Sequence, residues 1–372
     1  MSSLTFRIVF VLVAIALSAA SARGVVYKAT LLHPAGFDLS SAVAISGASQ
    51  VGDGRSDTYR ALLWNSSAAS VVDLHPAGFS DSYALGVSGA VQAGYGYLQQ
   101  SQQHHALMWH GTAASVVDLH PPGFEFTQAA GISATSVVGN GFGPATGGTE
   151  HALFWDSSGS GVVDLHPAGF EWSQASAVLG ANQVGSATVS ALNGPSHAIL
   201  WHGTAGSAVD LHPLGFENSN AAAVTDTSQV GTAYNPGSDP FISNSRAMLW
   251  HGTAASAVNL HPAGFDFSHG FGASGESQVG DAGIFFGYSH AMVWRGTAAS
   301  AIDLHPFLSG LAPAFIGSKA TGISDSGAIV GTAWDDHYTY AVLWTPIPEP
   351  VSCALVACGV ILTSIVRARR RR

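Results

Sequence analysis

Seven histidines of this chain stand in one short motif, Leu-His-Pro, at His33, His75, His120, His166, His212, His261 and His305. In six copies an Asp or Asn precedes the histidine by two residues, at Asp73, Asp118, Asp164, Asp210, Asn259 and Asp303. An imidazole near a carboxylate suits acid–base catalysis or metal binding. Zinc, however, requires several nitrogens about 2.0–2.1 Å from one ion, and an active site rarely needs seven copies of one residue. We therefore favour a structural role, in which the acidic residue orients the imidazole or caps the turn.

Other patterns that would carry chemistry do not stand out. The sequence shows no Gly-rich phosphate loop, no His-Glu-x-x-His metal helix and no Gly-x-Ser-x-Gly elbow for acyl transfer. The densest polar cluster is Asp335-Asp336-His337, which we interpret as a solvated loop, with a calcium site as the alternative. The sequence thus predicts no catalytic residue, no bound metal and no cofactor.

The elements that hold these histidines repeat with them. Successive motifs lie 42 to 49 residues apart, the length of one supersecondary unit in a tandem array. Each repeat also holds a Gln-Val-Gly-like hairpin and an Ala-x-x-Trp segment, so it contains four short apolar runs separated by turn residues. Four strands in about 45 residues make one β-propeller blade, and we expect the tryptophans to pack between blades. The tryptophans are Trp64, Trp109, Trp155, Trp201, Trp250, Trp294 and Trp344.

The two ends of the array favour a ring over an open solenoid. The segment Val25 to Leu32 is a lone fourth strand, whereas the last repeat, from Ala320 to Trp344, has only three strands. Pairing them completes the last repeat, while a solenoid would need capping units that are not visible. The sequence therefore predicts an all-β fold: a seven-bladed β-propeller of four-stranded repeats over residues 23–345, closed by its N-terminal strand.

Charge and cysteine content exclude several classes of protein. Residues 23–350 carry 7 basic and 23 acidic side chains, a net charge of −16, which would repel DNA or RNA. The only two cysteines are Cys353 and Cys358, so the repeats cannot depend on disulfides, thiol nucleophiles or cysteine–zinc sites. We expect no nucleic-acid partner.

The N-terminus has the pattern of a secretory signal peptide over residues 1–22. Arg7 supplies the basic region, Ile8 to Leu17 the apolar core, and Ala20 and Ala22 a small-x-small cleavage site. The alternative is a membrane anchor, but the apolar run is short for a span of roughly 20 residues. We expect export through the Sec machinery.

The C-terminus, residues 346–372, joins a proline break to an apolar run and a basic stop. Pro348-Glu349-Pro350 precedes the uncharged segment 351–366, and the chain ends in Arg367, Arg369, Arg370, Arg371 and Arg372. This order resembles the PEP-CTERM sorting tail of bacteria. The resemblance implies a transmembrane segment at 351–366, transient membrane anchoring, cleavage by an exosortase, and delivery to the cell envelope or extracellular matrix. The alternative is a permanent C-terminal anchor.

The repeats resemble the extracellular HAF repeats, in which a His-Ala-Phe strand precedes a Trp. The matching segments are His105-Ala106, His151 to Trp155, His197-Ala198, His290-Ala291, and hairpins such as Gln183-Val184-Gly185. The resemblance covers most of residues 25–344 and implies a secreted propeller. It adds no mechanism, because the family is described by sequence and location.

Function should lie in the loops that differ between repeats, since binding usually resides in variable loops on a rigid scaffold. The loops after the second strands vary most and share a face with the Leu-His-Pro turns. The candidate residues are Tyr97, Gln99, Tyr234, Phe241, Phe285 and Tyr288. Such side chains suit stacking on sugar rings, although tolerated solvent loops are the alternative interpretation.

Two hypotheses for function follow. The first is an exported cell-surface or extracellular-matrix protein whose non-catalytic propeller binds exopolysaccharide or serves a structural role. The second is a secreted propeller hydrolase or lyase that acts on extracellular polysaccharide. The second hypothesis requires unrepeated acidic or His side chains that converge at one mouth of the central channel.

Overall fold

The computed structural model describes residues 25–348, except 135, 157–160, 191–193, 237–243 and 286. Strand β1 (Val26–Leu31) precedes the first blade. Blade 1 consists of β2 (Leu39–Ser46), β3 (Ser49–Arg55), β4 (Tyr59–Asn65) and β5 (Val72–Asp73). Blade 2 consists of β6 (Phe79–Ser88), β7 (Val91–Leu98), β8 (His104–Trp109) and β9 (Val117–Asp118). Blade 3 consists of β10 (Phe126–Ser133), β11 (Ser136–Phe142), β12 (His151–Asp156) and β13 (Val162–Asp164).

The remaining blades follow the same plan. Blade 4 consists of β14 (Trp172–Leu179), β15 (Asn182–Thr188), β16 (Ser196–Trp201) and β17 (Val209–Asp210). Blade 5 consists of β18 (Asn218–Val224), β19 (Gln229–Tyr234), β20 (Arg246–Trp250) and β21 (Val258–Asn259). Blade 6 consists of β22 (Phe267–Ser274), β23 (Ser277–Gly283), β24 (Ser289–Trp294) and β25 (Ile302–Asp303). Blade 7 begins with β26 (Gly317–Ile323), β27 (Ile329–Trp334) and β28 (Thr339–Ile347).

Short 3-10 helices lie between strands, at Ala68–Ser70, Ala113–Ser115, Pro144–Thr146, Ala205–Ser207, Ala254–Ser256, Ala298–Ser300 and His305–Leu308. Five of them come just before the fourth strand of a blade and shorten it. In blade 2, for example, the helix Ala113–Ser115 precedes a fourth strand that covers only Val117–Asp118.

Seven four-stranded sheets confirm the predicted propeller. In blades 1 to 6 the strands follow chain order with antiparallel pairing, whereas in blade 7 the order is β1-β28-β27-β26. The N–H of Leu32 donates to the carbonyl of Ala341 at 2.8 Å, just as Leu74 donates to Ala61 at 2.9 Å in blade 1. The N-terminal strand therefore completes the last blade, as predicted. The compact unit that contains the blades spans Ala29–Thr345.

The apolar core lies between neighbouring blades. One cluster joins Met108 and Leu119 of blade 2 to Leu153 and Trp155 of blade 3. The seven repeated tryptophans are at most 1% exposed, and Trp155 donates its Nε1–H to the carbonyl of Leu119 at 3.1 Å. This confirms the expectation that tryptophans hold adjacent blades together.

Steric crowding explains the glycine of the Gln-Val-Gly hairpins. Each first strand carries a β-bulge, for example between Ala42 and Ala44. Its carbonyls approach the second strand so closely that a Cβ at Gly52 would lie 1.9 Å from the oxygen of Ser41. Only glycine fits there. The seven first strands line a narrow central channel of about 380 Å³.

The propeller has two faces. The loops between second and third strands share one face with the Leu-His-Pro turns, because antiparallel strands alternate in direction; we call it the loop face. The hairpins between first and second strands lie on the opposite face, with the turns that precede the fourth strands.

Both predicted targeting segments lie outside the described residues. These are the signal peptide, with Ala20 and Ala22, and the sorting tail from Glu349 and Pro350 through the arginines; Pro348 is the last described residue. Within residues 25–348, leaving out the stated gaps, no helix is long and apolar enough to cross a membrane. The signal peptide and the sorting tail stay predictions.

Candidate functional site

Each Leu-His-Pro histidine is part of a polar junction between two blades. Nδ1 of His120 lies 2.9 Å from the hydroxyl of Thr127, and its Nε2 lies 3.2 Å from the carbonyl of Phe124. The same hydroxyl accepts the N–H of Ala106, in the preceding blade, at 3.0 Å. With the proton on Nε2, His120 donates to the carbonyl and Nδ1 accepts the hydroxyl proton, so every polar group is satisfied. All seven copies have this histidine–hydroxyl contact, at 2.8–3.0 Å.

The acidic residue of the motif caps the turn and binds a different histidine. In blade 2 Asp118 Oδ1 accepts the N–H of His120 at 2.9 Å, which confirms the capping role. Its Oδ2 lies 2.7 Å from Nδ1 of His105, the first residue of the His-Ala pair. The prediction that this carboxylate orients the motif imidazole is therefore wrong. His105 instead stacks on His120 with ring centroids 3.9 Å apart, and three other blades contain the same stacked pair.

Burial lowers the pKa of all seven motif histidines from the usual 6.5, because the charged imidazolium would lose its hydration. They are therefore neutral at neutral pH. In four of them both ring nitrogens contact protein atoms, and no lone pair is left for a metal or a substrate. These contacts support a structural role for the four histidines, and His33, His75 and His305 make the same histidine–hydroxyl contact.

A continuous group of aromatic rings crosses the loop-face ends of blades 1, 2 and 3. We call it the aromatic strip, and it consists of Tyr59, Tyr83, Tyr95, Tyr97, His104, Phe126 and Phe142. Every one of these side chains is half-buried, so each ring presents part of its surface to solvent.

Consecutive rings of the aromatic strip are in contact. The rings of Tyr83 and Tyr95 stack at 4.9 Å with an interplanar angle of 17°. Tyr97 meets His104 at 4.0 Å, and Phe126 stacks on Phe142 at 5.6 Å. Two contacts cross the blade boundaries: the ring centroids of Tyr59 and Tyr83 are 5.2 Å apart, and those of His104 and Phe126 are 5.8 Å apart. The rings thus form a single surface rather than isolated residues.

Carboxylates border the tyrosine end of the strip. Asp81 Oδ1 accepts the N–H of Tyr59 at 2.9 Å. Burial, together with the smaller effects of neighbouring Tyr97, Asp53 and Asp81, raises the pKa of Tyr95 to about 12. The same causes raise the pKa of Tyr83. Burial also raises the pKa of the Asp53 carboxyl to about 6, although nearby Lys319 opposes this shift. The phenols stay protonated and lie in a field of negative charge.

The predicted loop residues do not form one group. Tyr97 belongs to the aromatic strip, and Gln99 lies exposed in the loop beside it. Tyr234 ends the second strand of blade 5. Phe285 is in blade 6, where its ring centroid lies 6.3 Å from that of Phe267. Tyr288 is also in blade 6 and is exposed. Phe241 lies outside the described residues.

Tyr83 and Tyr95 were not predicted, because we expected binding residues in the variable loops and both residues lie within strands. The available signal was the alternation of Tyr95 and Tyr97 with small residues, which places both rings on one side of β7.

An unrepeated acid–histidine pair lies near the loop-face end of blade 6. His269 Nδ1 is 2.7 Å from Asp281 Oδ1, with the histidine side chain 29% exposed and the carboxylate 9% exposed. Elsewhere on this face, Asn140 donates to Glu150 at 2.7 Å. Both pairs contain residues of the kind that a catalytic propeller would require, but the two pairs lie in different blades. Among the described residues, no group of three or more His, Cys, Asp or Glu side chains could hold a metal ion.

The cluster at Asp335 forms a local turn. Its Oδ1 accepts the N–H groups of His337 and Tyr338 at 2.8 and 2.7 Å. These hydrogen bonds stabilise the carboxylate and lower the pKa of Asp335. The interpretation as a solvated loop fits this geometry.

Comparison with known proteins gives the fold. No protein-family model matches the chain, and no curated protein matches it. Among solved structures, it resembles the β-propeller domain of the Trilobed protease from Pyrococcus furiosus, with TM-score 0.54, 10% identity and coverage of 84% of this chain and 100% of that one. It also resembles an oligogalacturonate lyase from Vibrio parahaemolyticus, with TM-score 0.53 and 11% identity; the match covers 88% of this chain and 95% of the lyase. A puromycin-hydrolyzing peptidase from Mycobacterium tuberculosis gives TM-score 0.55 and 10% identity; the match covers 87% of this chain and 51% of the peptidase.

Proposed function

We propose that this protein is a non-catalytic, polysaccharide-binding propeller of the cell surface or extracellular matrix, and that the aromatic strip is its binding surface. The observation that carries the proposal is the unbroken contact of seven half-exposed rings across three blades. Sugar rings present apolar C–H faces that pack on aromatic rings, while phenol hydroxyls bind sugar hydroxyls. A surface that extends over three blades suits a chain of sugars better than a single small ligand.

The groups beside the strip support this choice. An open space of about 380 Å³ adjoins its far end and is lined by Gln102, Gln103, His104, Glu125 and Phe126. Amide, imidazole and carboxylate groups there can exchange hydrogen bonds with sugar hydroxyls. The strip therefore combines apolar area with polar groups at its edge, as ligand sites usually do.

The proposed location depends on the two ends of the chain. The pattern of residues 1–22 favours export, and the tail at 346–372 favours exosortase processing with transient membrane anchoring. A propeller delivered this way would meet exopolysaccharide outside the cell. Labelling intact cells with an impermeant reagent, before and after protease treatment, tests the location.

Binding is tested with the purified full-length protein on a glycan array and against the exopolysaccharide of the producing cells. We expect saturable binding that Tyr97→Ala weakens and that Tyr338→Ala, at an exposed tyrosine in blade 7, leaves unchanged. Binding that is equal in both variants would reject the strip as the binding surface. Absence of saturable binding to any polysaccharide would reject the proposed function.

A second candidate function is a hydrolase or lyase that acts on extracellular polysaccharide. The observation that favours it is the His269–Asp281 pair, because a buried carboxylate on Nδ1 leaves Nε2 of the histidine to accept a proton. Incubation with polysaccharide should then release reducing ends or unsaturated products, and His269→Gln should abolish the release. Products that persist in this variant would exclude the pair as the catalytic group.

A further inference from the structure

We propose that the aromatic strip selects polysaccharides that carry free amino groups, such as glucosamine polymers, over neutral and uronic-acid polymers. This inference rests on the proposed function of the strip and adds the chemical class of its ligand. It depends on the balance of charged groups around the tyrosines.

Carboxylates at the strip are available to a ligand. Asp81 is half-buried and acts on the phenols of Tyr83 and Tyr95, whereas Asp53, whose pKa burial raises to about 6, carries only part of its charge at that pH. Asp81 uses Oδ1 to accept a backbone N–H, and a carboxylate has lone pairs left for a second donor. Glu125 is exposed beside the Phe126 end. A ligand ammonium would thus find a carboxylate near either end of the strip.

Two of the cationic groups nearby already have partners. Arg60 donates to Asp73 at 2.7 Å. The guanidinium of Arg55 lies 5.7 Å from the ring centroid of Tyr59, at the outer end of the strip. Lys319 is exposed and opposes the rise in the pKa of Asp53. Asp53 and Asp81 are the charged groups that act on the phenols of the central tyrosines, so the field there is negative and would repel the carboxylates of uronic acids.

Tyrosine rings add a second attraction for cations. The rings of Tyr83 and Tyr95 are parallel, whereas Tyr97 meets Tyr83 at 65°. This arrangement offers ring faces in two directions, and an ammonium above a phenol face is attracted by the ring quadrupole. Carboxylate and ring face together distinguish a free amine from the acetylated amine of an otherwise identical sugar.

The test compares three oligosaccharides of equal length with the full-length protein: fully deacetylated glucosamine, N-acetylglucosamine and galacturonic acid oligomers. Calorimetry at pH 6 is expected to give at least about tenfold tighter binding of the free-amine oligomer. Its affinity should fall as salt rises from low to high concentration, because exposed charges are screened.

Two matched substitutions locate the charge that matters. Asp81→Asn keeps the oxygen that accepts the N–H of Tyr59, and it should weaken free-amine binding about 5- to 10-fold with little effect on the acetylated oligomer. Asp336→Asn makes the same charge change in an exposed loop of blade 7 and should leave both affinities unchanged.

The outcomes separate the two proposals. Equal affinities for acetylated and free-amine oligomers, both lost in Tyr97→Ala, would overturn the amine preference while the strip stays a polysaccharide site. Preference for the galacturonic acid oligomer would also overturn it. No binding of any oligomer or polysaccharide would overturn the proposed function and the amine preference together.

Discussion

The blade junctions and the aromatic strip use neighbouring positions on the same strands, but residue types are repeated between blades only at the junctions. Ser82 is fully buried in a junction, and a hydroxyl stands at its position in all seven first strands. One residue later the side chain is accessible, and the seven blades carry Ser41, Tyr83, Gln128, Gln174, Asn220, His269 and Lys319. The hydroxyl at the buried position hydrogen-bonds to a backbone N–H and to an imidazole, whereas the side chain at the accessible position need not form these bonds. Side chains that build the ring are thus repeated, and side chains that distinguish its surface are not.

The largest expected effect comes from breaking the ring at its closure. Deletion of residues 25–32 removes the fourth strand of blade 7 and Leu32, which packs with Trp64 and Leu343 across the last junction. We expect loss of the cooperative unfolding transition and aggregation through the exposed edge of β28. Circular dichroism with thermal unfolding checks this. A chain cut after Pro348 keeps every strand from β1 to β28 and serves as the control; full stability of the deletion would contradict ring closure by β1.

The next effect comes from a single junction. Trp155→Ala leaves a cavity between blades 2 and 3 and should cost about 3–5 kcal/mol of unfolding free energy. Trp172→Ala, in a side chain 42% exposed at the end of blade 4, should cost less than about 1 kcal/mol. Denaturant unfolding of both variants measures the contrast. Equal costs would show that burial between blades is not what makes the repeated tryptophans necessary.

The junctions also predict acid sensitivity. The pKa of each motif histidine is lower in the folded protein than the unfolded value of about 6.5, so below that pH the unfolded chain binds more protons. Stability is therefore complete above pH 6.5 and decreases as the pH falls, by at most about 1.4 kcal/mol per pH unit for each histidine. Asp53 and Glu150, whose pKa values burial raises, act in the opposite direction. Urea unfolding at pH 7.5, 6.5 and 5.5 measures the slope; a midpoint that does not change would contradict the expectation that the seven histidines outweigh the two carboxyl groups.

The smallest effect on stability is expected in the strip. Tyr97→Ala removes a half-buried ring and should lower the unfolding free energy by about 1 kcal/mol or less. It should nevertheless weaken polysaccharide binding about 5- to 100-fold, because aromatic anchors dominate contact energy. Unfolding and calorimetry on the same preparation separate the two. A loss of stability as large as that of Trp155→Ala would assign Tyr97 to the core rather than to a binding surface.

The propeller could be predicted from the sequence because its motifs are repeated. One short strand is ambiguous by itself, but seven copies of the same pattern are not. The lone strand Val25 to Leu32 and the three-stranded last repeat were sufficient to predict the ring closure. The stacked pair of His105 and His120 was not predicted, because Asp118 uses its two oxygens on residues in different segments. The strip was not predicted as a unit either. Its members come from three blades, and only the folded ring brings Tyr59 beside Tyr83 and His104 beside Phe126.

Closure by the first strand sets the timing of folding. The hydrogen bond from Ala341 to Ser40 joins residues 301 positions apart, so Ala341 leaves the ribosome long after Ser40. Until β28 emerges, the growing chain is an open row of blades with two exposed edges. Contacts of such long range form slowly and leave partly folded chains open to association. Chaperone dependence during biogenesis, rather than stability of the finished ring, is where a defect in the last blade should first appear.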